Sequence, residues 1–114
     1  MDEISDVDID GNGRFKYILV KIKQGSEQKY IVRGYSRAAY HADIYDEILP
    51  QIRNLGLHSE CLGGGRIEHN QEDGKILIYG YSVGFGQADH KISTEILRKY
   101  FPNYKSITFS NEGY

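Results

Sequence analysis

The chain has 114 residues, 39% apolar and 26% charged, with a formal net charge of −2, which is enough for one core and too little for two. That charge gives no basic footprint for nucleic acid, no apolar run reaches the length of a membrane span, and the acidic start MDEISDVDID lacks the layout of a secretion signal. The one cysteine, Cys61, excludes an internal disulfide and fits a reducing compartment, so the expectation is a soluble, cytoplasmic, monomeric domain.

Residues 1–12 read as a flexible N-terminal arm and 13–114 as the folded domain. DGNG (10–13) is turn chemistry, because glycine and asparagine tolerate positive φ. RFKYILVKI (14–22) alternates as a strand, with Phe15, Tyr17 and Leu19 on one face and Ile18, Val20 and Ile22 on the other, beside Lys16. Both faces are largely apolar, which predicts a central strand covered on both sides. KQGSEQ (23–28) is a polar hairpin loop and KYIVRGY (29–35) a second strand. Helical spacing of Ile44, Ile48, Leu49, Ile52 and Leu55 predicts a helix over 39–55, stopped by Gly56. Pro50 removes one N–H and crowds the carbonyl of Asp46, so a kink or break is expected there.

SECL (59–62) reads as a short strand and GGG (63–65) as a flexible turn. RIEHN and KILIYGYS flank the hairpin signal QEDG. A second helix over 89–101 carries Ile92, Ile96, Leu97 and Tyr100 and ends before Pro102; SITFS (106–110) is the last strand. The fold class is therefore α/β: a single mixed sheet of about six strands with two helices. The order ββαβ-ββαβ also suggests an internal duplication. GYSRAAYHAD (34–43) and GYSVGFGQAD (80–89) match without gaps at Gly, Tyr, Ser, Ala and Asp, with Gln87 where the first copy has His41. GNGRFKY (11–17) lies similarly over GGGRIEH (63–69).

Several motifs fail on their chemistry. DVDIDG opens like a calcium loop, but its twelfth position is Tyr17 rather than glutamate. CLGGGR has four residues between Cys61 and Arg66 and leads into a strand, unlike a cysteine phosphatase loop, so Cys61 reads as a small buried apolar residue. No Gly-Lys-Ser/Thr is present, and His41, His58, His69 and His90 lack ligand spacing, so no metal site is expected. What survives is a scattered phosphate-binding set. His41 lies at a helix start, where free N–H groups disfavour a protonated ring and leave a neutral base. Ser82, Gly84 and Gly86 would let backbone approach an anion, and Lys16, Arg33 and Arg66 lie on nearby strands. Residue by residue, each also fits a cap, a surface charge or a snorkelling stem.

The segments VDIDGNGRFKYILVKI, IVRGYSRAAYHADIYD, ECLGGGRIEH, IYGYSVGFGQADHKISTE and NEGY together resemble the phosphohistidine phosphatase, or janus, family from Val7 to Tyr114. The resemblance implies a small α/β sheet with two helices and metal-independent, cofactor-free removal of phosphate from phosphohistidine-containing proteins, with phospholysine as a further substrate class. It makes His41 the catalytic residue, as general base or transient nucleophile, and leaves both open. It implies phosphate or substrate contacts from Lys16, Arg33, Ala42, Arg66, Ser82, Val83 and Gly84. The alternative is a non-catalytic module that reads phosphorylated partners with the same cations and without His41. Gly84 stands where relatives often carry alanine, and KQGSEQ is shorter than in some relatives.

Overall fold

A computed structural model describes residues 1–113; Tyr114, the end of the NEGY segment, lies outside them. The elements are β1 (Val7–Ile9), β2 (Asn12–Gln24), β3 (Glu27–Gly34), α1 (His41–Asn54), β4 (His58–Asn70), β5 (Lys75–Tyr79), α2 (His90–Tyr100) and β6 (Ser106–Phe109). The strands form one sheet in the order β1-β3-β2-β4-β5-β6. The two outermost pairings, β1 with β3 and β5 with β6, are parallel, and the inner ones are antiparallel. This is the expected mixed α/β sheet with two helices.

The alternation in β2 builds both cores. Phe15, Tyr17 and Leu19 pack with Val32, Ile67, Ile78 and Leu97 on the side of α2. Ile18, Val20 and Ile22 pack with Ile31, Ile44, Ile48 and Ile52 on the side of α1. A strand that is apolar on both faces becomes the axis of the sheet, with a helix on each face. The turn into β3 is shorter than the expected loop: Gln24 pairs with Glu27, and Gly25, at φ 59°, supplies the conformation that a two-residue hairpin needs.

Four local expectations are corrected. The segment expected as a loose arm is docked: β1 pairs with β3, and Ile4 is 1% exposed in the α1 core. SECL, GGG and RIEH are one strand, β4, rather than a strand, a turn and a second strand. Leu62 is an extra residue in its pairing, since Leu19 faces Gly63 and Val20 faces Cys61. Helix α1 runs through Pro50 without a break. Pro50 and Asp46 are both exposed, so the proline sits on the solvent face of the helix, where a carbonyl left unbonded can be hydrated. The helix closes as expected at Gly56 (φ 71°), where Leu57 N–H donates to Ile52 O at 3.1 Å and Gly56 N–H to Arg53 O at 3.0 Å. In α2, Tyr100 is exposed, while Ser93, Thr94 and Leu97 are buried.

Ile18 is fully buried between β2 and α1, so Ile18→Ala removes a transfer term and leaves a cavity. The expected loss is about 3 kcal/mol, read from the urea midpoint with an unchanged slope. A loss below about 1 kcal/mol would contradict this packing.

Candidate active site

His41 is the first residue of α1, and its ring lies on the sheet at Gly64. A Cβ on Gly64 would stand 2.6 Å from the imidazole Cδ2 and 2.7 Å from Tyr17 O, so only glycine lets the ring descend to this depth. Its Nε2 is 2.9 Å from Gly65 O. A carbonyl can only accept, so Nε2 carries the proton and Nδ1 keeps the lone pair. Burial pulls the His41 pKa down from its ordinary value; the bond to Gly65 opposes this, and the charges of Lys16 and Arg66 add to it. The ring is therefore a neutral base with one defined free nitrogen.

A cleft of about 580 Å³ opens beside it, walled by Lys16, Tyr40, Ala42, Ser82, Val83 and Phe85. On one side is the start of α1. Its N-cap is Tyr40, whose side chain makes no capping bond and is 71% exposed. The Asp43 carboxylate accepts from Tyr40 N–H at 3.0 Å, outside the helix. The N–H groups of His41 and Ala42 thus have no capping oxygen, which makes this end receptive to an anion. Helix α2 is different: Asp89 caps it, accepting from Lys91 N–H at 3.1 Å and Ile92 N–H at 3.4 Å.

The opposite wall is the loop after β5. Ser82 N–H donates to Gly86 O at 3.0 Å, Gly86 N–H to Ser82 O at 2.8 Å, and Phe85 N–H to Ser82 Oγ at 3.0 Å. These bonds fix a tight turn and do not use the N–H groups of Val83 and Gly84. The loop is pinned to β4 by Gly64 N–H donating to Gly86 O and Ala88 N–H to Gly64 O, each at 3.0 Å. Gly63, at φ 150°, is needed there because a Cβ would meet Ala88 N at 2.6 Å. Phe85 stands edge-on to Tyr45 of α1, with ring centroids 5.9 Å apart, which ties this wall to the helix that carries His41.

The Janus/Ocnus family model matches residues 1–105 of the sequence. The chain belongs to the Janus/Ocnus family. It is 49% identical to a 14 kDa phosphohistidine phosphatase of Sus scrofa, covering 98% of this chain and 94% of that protein. It is 48% identical to the protein of that name in Homo sapiens, covering 97% and 94%. It is 47% identical to the sex-regulated protein janus-A of Drosophila pseudoobscura pseudoobscura, covering 95% of this chain and 76% of that one.

Of the residues that the Janus resemblance implied, the structure gathers Lys16, His41, Ala42, Ser82, Val83 and Gly84 around one cleft. Arg66 faces Lys16 across β2 and β4, near enough to act on the His41 ring. Two details differ from the expectation. The Ser82 N–H is used inside the loop, so its hydroxyl is the group left to donate. Arg33 stands apart: it is 4% exposed, and its guanidinium donates to Val32 O at 2.9 Å and Ser5 O at 2.7 Å. Burial lowers its pKa, with Tyr35, Asp8 and Asp6 opposing, so this cation anchors the N-terminal segment rather than the cleft. Gly84 has negative φ or extended backbone, and a Cβ there would meet nothing within 4 Å, so alanine fits the same loop. The sequence reading missed Tyr40 and Phe85. A bulky N-cap just before a helical histidine, and an aromatic between two glycines, are the signals that mark them.

Two outcomes follow. Because its folded-state pKa is depressed, His41 stays neutral as pH falls below its ordinary value, so the acid limb of kcat/KM lies below about 6.5. Lys16→Met removes one of the depressing charges and moves the ring's NMR titration midpoint upward; a midpoint that stays put or falls would disprove the electrostatic account. Gly64→Ala forces His41 and Tyr17 apart and lowers kcat by at least about tenfold, with full activity as the contrary result.

Proposed function

We propose that this chain is a protein phosphohistidine phosphatase, which hydrolyses the P–N bond of phosphohistidine, and of phospholysine, without a metal. The names of its Sus scrofa and Homo sapiens relatives support the activity. The observation that carries the reading in this chain is the neutral His41 ring, fixed through Nε2 to Gly65 O, beside the uncapped end of α1 and Lys16.

The chemistry fits a phosphoramidate. Phosphorylated imidazole with a proton on its second ring nitrogen departs as a neutral molecule, so the leaving group needs no strong acid beside it. Among the described residues, no carboxylate or thiol lines the cleft, and the Cys61 thiol, which burial pushes up to about 11, is outside it. An alkoxide leaving group, by contrast, would call for a proton donor.

In the proposed reaction, water attacks phosphorus while the P–N bond breaks. His41 Nδ1 takes the water proton and later releases it to solvent, and the products are inorganic phosphate and free histidine side chain. The transition state spreads charge over three equatorial oxygens. Lys16, Arg66, the N–H groups of Ala42, Val83 and Gly84 and the Ser82 hydroxyl would oppose that charge. The general-base role leaves no phosphoryl group on His41, so absence of acid-labile label on the enzyme during turnover separates it from direct attack by the ring.

Phosphate release from phosphohistidine tests the assignment. His41→Ala is expected to lower kcat by at least about 100-fold while inorganic phosphate still binds. Arg66→Ala raises KM more than it lowers kcat, and a chelator changes nothing. Turnover without His41, an affinity for phosphate that collapses with the rate, or sensitivity to chelator would each remove part of the proposal. Absence of turnover in the unmodified chain would leave the phosphoprotein-binding module.

A further inference from the structure

We propose that the half of the sheet beside the cleft that α1 leaves open is the docking platform for an acidic surface of the phosphoprotein substrate. The inference rests on the phosphatase reading for its substrate and on separate residues for its argument.

Helix α1 packs on β2 and β4, and no helix packs on β5 and β6 on its side; the segment after β6 returns only to the Tyr79 end, where a Cβ on Gly113 would stand 3.4 Å from the Tyr79 ring. Ile76, Ile78 and Ile107 point to the α2 core, so alternation turns Lys75, Leu77, Tyr79, Ser106 and Thr108 to the open side. Two cross-strand rows run over this face. One is Lys16–Arg66–Tyr79, and the next is Arg14–Glu68–Leu77–Thr108. Lys16 ends the first row and also walls the catalytic cleft, so the platform and the site share a residue. A second cleft of about 610 Å³ lies over the rows, with Arg14, Glu68, Lys75, Leu77 and Thr108 in its lining.

The charge of this face opposes that of the molecule. The chain carries −2 overall, yet the rows and the cleft over them hold Arg14, Lys16, Arg66 and Lys75 against the carboxylate of Glu68, which Arg14 holds at 3.6 Å. Glu72 and Asp73 stay in the β4–β5 turn, where Asp73 is bonded to Asn70 at 3.0 Å. Leu77 is 38% exposed in the middle of a strand, an apolar anchor among cations. A histidine embedded in a protein reaches the recessed His41 ring only if the surrounding polypeptide meets the rim, and this is the rim's flat, basic side. Electrostatic complementarity of this kind governs encounter and partner choice more than chemistry.

The test compares Arg14→Glu/Lys75→Glu with the unmodified chain on three substrates: free phosphohistidine, an acidic phosphohistidine protein and a basic one. Neither residue lines the catalytic cleft, so kcat/KM on free phosphohistidine stays within about twofold. On the acidic protein it falls at least about fivefold at low salt, and on the basic protein it does not fall. Leu77→Ala lowers it on both proteins and not on the free amino acid. Equal losses on all substrates, or none on the acidic protein, overturn the platform. So does a dimer in sedimentation that the double variant dissociates, since a second copy would then own the face. If the unmodified chain hydrolyses nothing, the phosphatase reading fails; calorimetric binding of the acidic phosphoprotein, weakened by the double variant, still upholds the platform, and unweakened binding refutes it.

Discussion

The site depends on the absence of side chains at three adjacent positions of a central strand. At Gly63 the loop after β5 comes so close that a Cβ would meet Ala88 N at 2.6 Å. At Gly64 the His41 ring occupies that space from one face of the sheet. At Gly65 a Cβ would meet Tyr79 O at 2.4 Å and the His90 ring at 2.7 Å, on the other face. The start of α1, the start of α2 and the loop between β5 and α2 therefore converge on one short stretch of β4. Glycine weakens a strand through entropy and lost packing. Here pairing with β2 and bonds from the loop hold the backbone, so a locally poor sequence becomes the most crowded point of the fold.

The two helix starts show how one arrangement serves two ends. Each begins with a histidine whose Nε2 donates to a carbonyl: His41 to Gly65 O at 2.9 Å, and His90 to Gly80 O at 2.7 Å. The second nitrogen decides the difference. His90 Nδ1 lies 2.6 Å from Tyr17 Oη, which is also 2.9 Å from Ser93 Oγ, all buried. His69 is closed as well, with Nδ1 on Asp10 O at 2.7 Å and Nε2 on Tyr104 Oη at 2.6 Å. Only at His41, among these three, does the cleft meet the ring. The caps follow the same division, with Asp89 closing α2 and Tyr40 leaving α1 open. A negative cap beside His41 would draw a proton onto the ring and compete with phosphate for the same N–H groups.

How much of this was legible in the sequence depended on whether the signal was periodic or steric. The two-sided pattern of β2 gave its central position, and the spacing of Ile44, Ile48 and Ile52 gave the buried face of α1, because burial repeats with the backbone. The polar members of the cleft were legible through the family's motifs, since their chemistry is local, whereas Tyr40 and Phe85 were not. The glycines misled: Gly63 to Gly65 have the composition of a turn, and what keeps them extended is the space taken by partners distant in the chain, from His41 before them to Tyr79, Ala88 and His90 after them. Arg33 misled for the opposite reason. A cation near the phosphate-binding strands invites an anionic role, but nothing local reveals that the N-terminal segment folds back and offers it the Ser5 carbonyl. Pro50 was read from its steric rule alone, and the rule has little force where the affected carbonyl faces water.

Lys16 and Arg66 connect stability with chemistry. They face each other across β2 and β4, an arrangement of like charges that weakens a strand pair. The two cations also hold down the proton affinity of His41, after burial. On the proposed reading, a phosphoryl dianion in the cleft reverses that depression. By cancelling the positive field it would raise the proton affinity of His41 Nδ1. On that reading His41 is a weaker base before substrate arrives and a stronger one when a phosphoryl group sits beside it, which confines its basicity to the complex in which a proton has to be taken.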